Sequence, residues 1–239
     1  MALREQLIEY HDGETLLEGF LCHDEARSGP LPAVLISHAW GGRDEFVERK
    51  ARRLAWHGYA AFALDMYGNG RRGSSPEENQ ALMAPFVQDR ALLARRINAA
   101  LAALKGLPPV DARRVAAMGF CFGGMCVLDL ARSGAELRGV VSFHGLLKPN
   151  GLPPAARIAA KILMLHGYDD PLAPPDDVLA VAREFTQAGA DWQLHAYGHT
   201  LHSFTNPAAN MPQNGMQYSD RADRRSWHAL LQFLDEVLR

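Results

Sequence analysis

The sequence predicts an α/β fold with a mostly parallel central sheet, flanked by helices and preceded by an antiparallel hairpin. Short apolar runs alternate along the chain with longer stretches of helical periodicity, as in proteins built from strand–helix–strand units. No repeat, low-complexity tract or long linker divides the 239 residues, so we expect one domain over residues 1–239.

The first half of the chain begins with a predicted hairpin. Its two candidate strands flank a His11-Asp12-Gly13 turn. A continuous apolar run favours a buried strand, whereas apolar side chains three or four residues apart favour a helix. Proline lacks a backbone donor, so we expect the long helical stretch to break at Pro85. The expected strands are Leu3–Tyr10, Thr15–His23, Pro32–His38 and Tyr59–Met66, and the expected helices are Glu45–His57 and Glu77–Lys105.

The second half repeats the strand–helix unit. Parallel strands joined by right-handed crossovers bring their carboxyl ends to one edge of the sheet, where sites of this architecture lie. Residues directly after these strands are therefore the candidates for chemistry. The expected strands are Arg114–Gly119, Gly139–Phe143, Lys161–His166 and Trp192–Tyr197, and the expected helices are Phe122–Ser133, Pro175–Gln187 and Arg221–Leu238.

Composition excludes several classes of protein. The 25 basic and 27 acidic side chains give a net charge of −2, which argues against a nucleic-acid partner. No apolar run approaches about 18 residues, and the first ten residues lack the pattern of a signal peptide. Three cysteines without a CxxC pair predict neither a disulfide framework nor a metal site. We therefore expect a cytoplasmic protein that uses no cofactor or metal and does not bind membranes.

A G-x-C-x-G turn, Gly119-Phe120-Cys121-Phe122-Gly123, lies between a predicted strand and a predicted helix. This is the nucleophile-elbow pattern, in which small flanking residues let the strand and helix approach closely. The first amides of the following helix would stabilise a thiolate and an oxyanion. A buried structural cysteine is the alternative at this position. Cys22 and Cys126 are expected to be small buried side chains.

A thiol nucleophile needs a base and a carboxylate that orients the base. The loop after the strand ending at His166 contains Asp169 and Asp170, and the next such loop contains His199 and His202. Pro171 directly after the second carboxylate favours Asp170, although local chemistry alone leaves Asp169 open. The chain order cysteine, aspartate, histidine at successive strand ends favours a catalytic arrangement.

These segments resemble the dienelactone hydrolase family of α/β hydrolases. The resemblance covers most of the chain, from PAVLISHAWGG through GYAAFALDMYGNG and GFCFGG to HGYDDP and YGHTLHSF. It implies a single α/β-hydrolase domain in which Cys121, Asp170 and His202 form a catalytic triad. It also implies an oxyanion hole formed by the backbone N–H groups of Ala39 and Phe122. The elbow cysteine is its specific part, since most α/β hydrolases have serine there.

Two positions depart from the family pattern. Family members often have a glutamate in the loop after the PAVLISH strand, where this chain has His38. Members that cleave dienelactones also have an arginine four residues beyond the catalytic histidine, and this chain has Asn206 there. An asparagine cannot replace the bidentate charge of arginine toward a carboxylate. Other arginines that could supply the charge are Arg71, Arg72 and Arg90.

The expected function is hydrolysis of an ester or lactone through a thioester intermediate. Residues expected to line the pocket are His38, Trp40, Tyr67, His144 and Asn206. Core packing is the alternative for Trp40, Tyr67 and His144, and His38 could instead brace the oxyanion loop. The substrate would be a small molecule, and the protein a monomer or a small homo-oligomer. Two alternatives are a non-catalytic small-molecule binding or scaffold protein of the same fold and a redox-active cysteine protein.

Overall fold

An eight-stranded sheet forms the centre of the protein in the computed structural model, which describes residues 2–153 and 157–239. Its strands are β1 (Leu3–Asp12), β2 (Thr15–Asp24), β3 (Leu31–Ser37), β4 (Ala60–Ala63), β5 (Val110–Phe120), β6 (Gly139–Phe143), β7 (Lys161–Gly167) and β8 (Trp192–Tyr197). The helices are α1 (Glu45–Trp56), α2 (Pro76–Gln88), α3 (Arg90–Lys105), α4 (Phe122–Arg132), α5 (Pro175–Gln187) and α6 (Asp220–Leu238). A second, two-stranded sheet consists of β9 (Asn210–Met211) and β10 (Met216–Gln217).

The strand order is β1-β2-β4-β3-β5-β6-β7-β8. The strands β1 and β2 form the expected antiparallel hairpin, and β2 joins β4 in antiparallel fashion. All pairs from β4 to β8 are parallel, so the carboxyl ends of these strands lie along one edge. The predicted fold class is confirmed.

Helices cover both faces of the sheet. In β3, Leu35 packs into the core beneath α3 and α4, whereas Val34 and Ile36 pack into the core beneath α1 and α6. Successive side chains of a strand point to opposite faces, so a strand covered on both sides has a continuous apolar sequence. This double burial explains why the parallel strands are visible in the sequence as unbroken apolar runs.

The break in the long helical region falls at Asp89, so the expected break at Pro85 is wrong. Pro85 lies inside α2, and its carbonyl accepts a hydrogen bond from the Asp89 N–H at 2.9 Å. Asp89 has an extended backbone, and its side chain accepts from the Leu92 N–H at 2.9 Å. The chain therefore turns where an aspartate can cap a new helix.

Glycine at position 123 permits the close contact between α4 and β3 that places the elbow. We expect Gly123→Ala to lower the free energy of unfolding by about 3 kcal/mol, because overpacking against a rigid backbone is costly. An added Cβ would lie 2.2 Å from the Ser37 carbonyl oxygen and 2.5 Å from that of His38. Urea denaturation of the variant measures this loss.

The matched control is Gly198→Ala, where an added Cβ has no heavy atom within 4 Å. We expect the free energy of unfolding of this control to lie within about 1 kcal/mol of the wild-type value, as is usual for surface substitutions. Equal stability of the two variants would contradict the tight-packing account of the elbow.

Candidate active site

The elbow residue Cys121 joins β5 directly to α4. Its backbone lies at φ 55° and ψ −116°, a conformation that side-chain-bearing residues rarely adopt and that is common at functional sites. Its N–H donates to the Phe143 carbonyl at 3.0 Å, which fixes the turn to the neighbouring strand β6. The side chain is partly exposed and lines a cavity at the carboxyl edge of the sheet.

The other two cysteines are buried, as expected. Burial raises the pKa of the Cys22 thiol to about 11 and that of the Cys126 thiol well above its usual range. A thiol is nucleophilic only as thiolate, so neither side chain is suited to attack a substrate.

A buried hydrogen-bonded pair lies beside the cysteine. The Nδ1 of His202 is 2.7 Å from Oδ2 of Asp170, and both side chains are almost fully buried. The second carboxylate oxygen of Asp170 accepts from the Leu172 N–H at 2.8 Å. The acceptor role of the carboxylate assigns the proton to Nδ1 and directs the lone pair of the neutral ring to Nε2.

The alternative acid and base lie at the surface. The side chain of His199 is 97% exposed, and its Nδ1 is 3.9 Å from Oδ2 of Asp169, which is also exposed. The structure thus brings Asp170 and His202 together with Cys121 and leaves the other pair in solvent.

Opposing influences act on the His202 imidazole. Burial lowers its pKa, but a negative charge on Cys121 and the hydrogen bond and charge of Asp170 raise the pKa to about 10. The protonated ring is therefore favoured when the nearby sulfur is a thiolate.

We expect Cys121→Ala to lower the pKa of His202, because it removes the negative charge of the thiolate while burial of the imidazole persists. The imidazole ¹⁵N chemical shifts, followed by NMR as a function of pH, measure the change. Cys22→Ala, which removes a remote buried thiol, is the control and should leave the titration unaltered. An unchanged His202 titration in Cys121→Ala would contradict the proposed contact.

A short hairpin supports the backbone of His202. The His202 N–H donates to the Gly215 carbonyl at 2.8 Å, and the Gln217 N–H donates to the His202 carbonyl at 3.0 Å. This hairpin, β9–β10, was not predicted from the sequence. The sequence feature that marks the hairpin is Gly215, a glycine in its turn, where φ is 74°.

Two backbone amides are free to form an oxyanion hole. Within residues 2–153 and 157–239, neither the Ala39 nor the Phe122 N–H donates a hydrogen bond. Ala39 lines the cavity, and Phe122 is the first residue of α4, where the N–H has no acceptor within the helix. The positive end of the helix dipole would add to the stabilisation of an anion there.

His38 and Tyr67, which were expected in the pocket, lie behind its wall and are almost fully buried. The His38 Nδ1 is 2.6 Å from the Ala39 carbonyl oxygen, and its Nε2 accepts from the Met66 N–H at 3.2 Å. The Tyr67 hydroxyl donates to the Trp40 carbonyl at 2.7 Å. Both side chains therefore brace the loop that follows β3, because the loop carbonyls need partners where water is excluded.

The cavity has a volume of about 550 Å³ and is mostly apolar. Three of the expected pocket residues, Trp40, His144 and Asn206, lie on its wall with Cys121 and His202. Further lining residues are Phe46, Met83, Phe120, Leu146, Leu172 and Met216, with the amides Asn79, Gln80 and Asn214.

Arg72 is the one arginine of the three considered that lines this cavity. Its guanidinium is 3.2 Å from Glu48 and is therefore already paired. Arg71 donates to the carbonyls of its own loop, and Arg90 is buried in an ion pair with Asp129 at 2.7 Å.

Within the described ranges, no helix is both long and apolar enough to span a membrane.

The sequence profile of the dienelactone hydrolase family matches residues 17–238. The chain belongs to the dienelactone hydrolase family. As a member, the protein is a hydrolase of ester or lactone substrates. A candidate carboxymethylenebutenolidase of Yersinia pestis is 27% identical over 81% of this chain and 79% of its own length. A Caenorhabditis elegans protein is 40% identical over 59% of this chain and 92% of its own.

Solved structures show the same relationship. The crystal structure of a dienelactone hydrolase-like promiscuous phosphotriesterase from metagenomic libraries superposes with a TM-score of 0.96 at 39% identity. The match covers 100% of both chains. A dienelactone hydrolase from Anabaena variabilis, 22% identical over 100% of both chains, superposes with a TM-score of 0.71 and has the same fold.

Proposed function

We propose that this member of the dienelactone hydrolase family cleaves its ester or lactone substrate through a thioester on Cys121. His202 is the general base and acid, Asp170 orients the imidazole, and the N–H groups of Ala39 and Phe122 bind the oxyanion. The observation that supports the proposal most strongly is the buried Asp170–His202 hydrogen bond of 2.7 Å next to an elbow cysteine on the cavity wall.

Acylation begins with proton transfer from the Cys121 thiol to Nε2 of His202. The thiolate attacks the carbonyl carbon, and the carbonyl electron pair moves to oxygen, where two backbone N–H groups stabilise it. When the carbonyl reforms, the C–O bond to the leaving group breaks. The imidazolium gives its proton to the departing alkoxide, which leaves as an alcohol or, for a lactone, remains attached as a hydroxyl group.

Deacylation uses the same imidazole as a base. His202 takes a proton from water, the hydroxide attacks the thioester, and the C–S bond breaks to release a carboxylic acid and the thiolate. Because acylation removes the negative charge on Cys121, it removes one of the influences that raise the pKa of His202. The ring therefore gives up its proton more readily after attack than before it.

Trapping the acyl-enzyme tests this proposal. We expect mass spectrometry of protein quenched in acid during turnover of a p-nitrophenyl ester to find one acyl group on Cys121. Neutral hydroxylamine should remove it, because thioesters react where ordinary esters persist. Cys121→Ser is the matched control, because its acyl adduct would be an ordinary oxygen ester that neutral hydroxylamine leaves in place. Full turnover by Cys121→Ala without any adduct would exclude the thioester route.

Neutral phosphotriesters are a second candidate substrate class. The observation that favours them is the 39% identity, over the whole of both chains, to a dienelactone hydrolase-like phosphotriesterase. A neutral triester also needs no cation in the cavity, where Arg72 is paired with Glu48. Turnover of a dialkyl p-nitrophenyl phosphate by the wild type, and its loss in Cys121→Ala, tests this activity at the same nucleophile.

A further inference from the structure

A second buried histidine lies beside the catalytic pair. His144 directly follows β6 and is 2% exposed. Its φ is 38°, a left-handed backbone conformation that residues other than glycine rarely adopt. The preceding residue, Phe143, provides the carbonyl that holds the Cys121 N–H. A buried polar ring on a strained backbone is costly to maintain, which suggests a role beyond filling space.

The His144 ring is held in place from several sides. It meets the His202 ring edge to face, with centroids 5.1 Å apart and planes at 67°. The Phe204 ring also packs edge to face against the His144 ring, with centroids 5.0 Å apart and planes at 82°. Its Nε2 is 2.8 Å from the hydroxyl oxygen of Thr205, which is fully buried. The Thr205 bond thus ties the end of β6 to the loop that contains His202.

The charge state of His144 suits this position. Burial lowers its pKa well below the usual range, and the charges of His202 and Lys50 lower the pKa further. The ionisable groups that act on it are His202 and Lys50 of α1, and Cys121 lines the same cavity. A neutral ring can lie against protonated His202 without charge repulsion.

Asp170 fixes one nitrogen of His202, but a single hydrogen bond leaves the ring free to tilt about that bond. We propose that His144, held by Thr205, is a positioning residue that sets the plane of the His202 ring so that Nε2 faces Cys121. The inference rests on the proposed function, since it assigns His144 a task only if His202 is the base. A small misplacement of a reacting group can cost a large factor in rate.

Thr205→Val is the direct test, because valine keeps the shape of threonine and removes the hydroxyl. We expect kcat for a p-nitrophenyl ester to fall roughly 10- to 100-fold with KM within about 2-fold. The alkylation of Cys121 by iodoacetamide near pH 6 should slow, because a misaligned His202 stabilises less thiolate. Thr205→Ser, which retains the hydroxyl, should restore both properties.

The matched control is Thr200→Val, a buried threonine of the same loop whose hydroxyl donates only to the Gly198 carbonyl at 3.1 Å. It should lower the melting temperature without changing kcat or the rate of Cys121 alkylation near pH 6. If Thr205→Val behaves in the same way, His144 is merely structural and the proposal is wrong.

A second variant covers the case in which Thr205→Val does not fold. His144→Asn removes the ring and suits the positive φ, because asparagine tolerates that region. It should show the same loss of kcat, and wild-type kcat in this variant would overturn the proposal. Activity in Cys121→Ala would instead overturn the thioester mechanism, so the two failures are distinguishable.

Discussion

Cys121→Ala is expected to lower kcat/KM for ester hydrolysis by about 10⁴-fold or more, because it removes the proposed nucleophile and with it the covalent route. The backbone N–H groups of Ala39 and Phe122 are unaffected by the substitution, so binding and weak oxyanion stabilisation persist. The remaining rate is that of a water attack assisted by these groups. Initial rates with a p-nitrophenyl ester measure the effect, and circular dichroism verifies the fold.

Cys22→Ala is the matched control for this loss. Cys22 is a fully buried thiol of β2, remote from the cavity. Its replacement removes a sulfur atom from the core, which lowers stability by about 1 kcal/mol, but kcat/KM should stay within about 2-fold. If Cys121→Ala retained more than a tenth of the wild-type rate, Cys121 would not be the nucleophile.

The sequence was sufficient to predict the sheet and the loops that meet at its edge. Apolar runs such as the one at Val34, Leu35 and Ile36 are continuous because helices cover both faces of the sheet. Once such strands are recognised, the carboxyl ends of neighbouring parallel strands must lie close together. That rule is enough to expect Cys121, Asp170 and His202 near one another, although they are far apart in the chain.

Other features depend on contacts that a sequence does not display. The directions of His38 and Tyr67 are set by loop carbonyls that need buried donors, so both face the core rather than the cavity. The strands β9 and β10 have two residues each, which is too short for any periodicity. The break at Asp89 could have been found, since aspartate is a strong helix-capping residue.

The elbow pattern predicts a strained backbone at Cys121, but the strain at His144 and Ser203 was invisible in the sequence. Cys121, His144 and Ser203 all have positive φ without being glycine, and all three line the cavity. Local sequence rules fail most often where a site requires an unfavourable conformation. The disagreement between residue type and backbone at these positions is therefore informative about function.

Asp170→Asn is expected to lower kcat/KM by about 10³-fold or more, while the shape of the side chain is kept. The carboxylate accepts from Nδ1 of His202, which assigns the lone pair to Nε2. An asparagine can instead present its NH₂ group to Nδ1, which places the imidazole proton on Nε2 and blocks proton transfer from the thiol. The substitution also removes a hydrogen bond and a charge that raise the pKa of His202, so the protonated ring becomes less favourable.

Asp169→Asn is the matched control for Asp170→Asn, because it makes the same carboxylate-to-amide change at the adjacent residue. The Asp169 side chain is exposed and 3.9 Å from Nδ1 of His199, a side chain that is itself 97% exposed. Solvent screens an exposed pair of this kind, so its loss should change kcat/KM by less than about 2-fold. Rates for both variants, measured from pH 5 to 10 with the same ester, separate the two carboxylates. A large loss in Asp169→Asn together with a small one in Asp170→Asn would reverse the assignment, since only the carboxylate that orients His202 can control both the rate and its pH dependence.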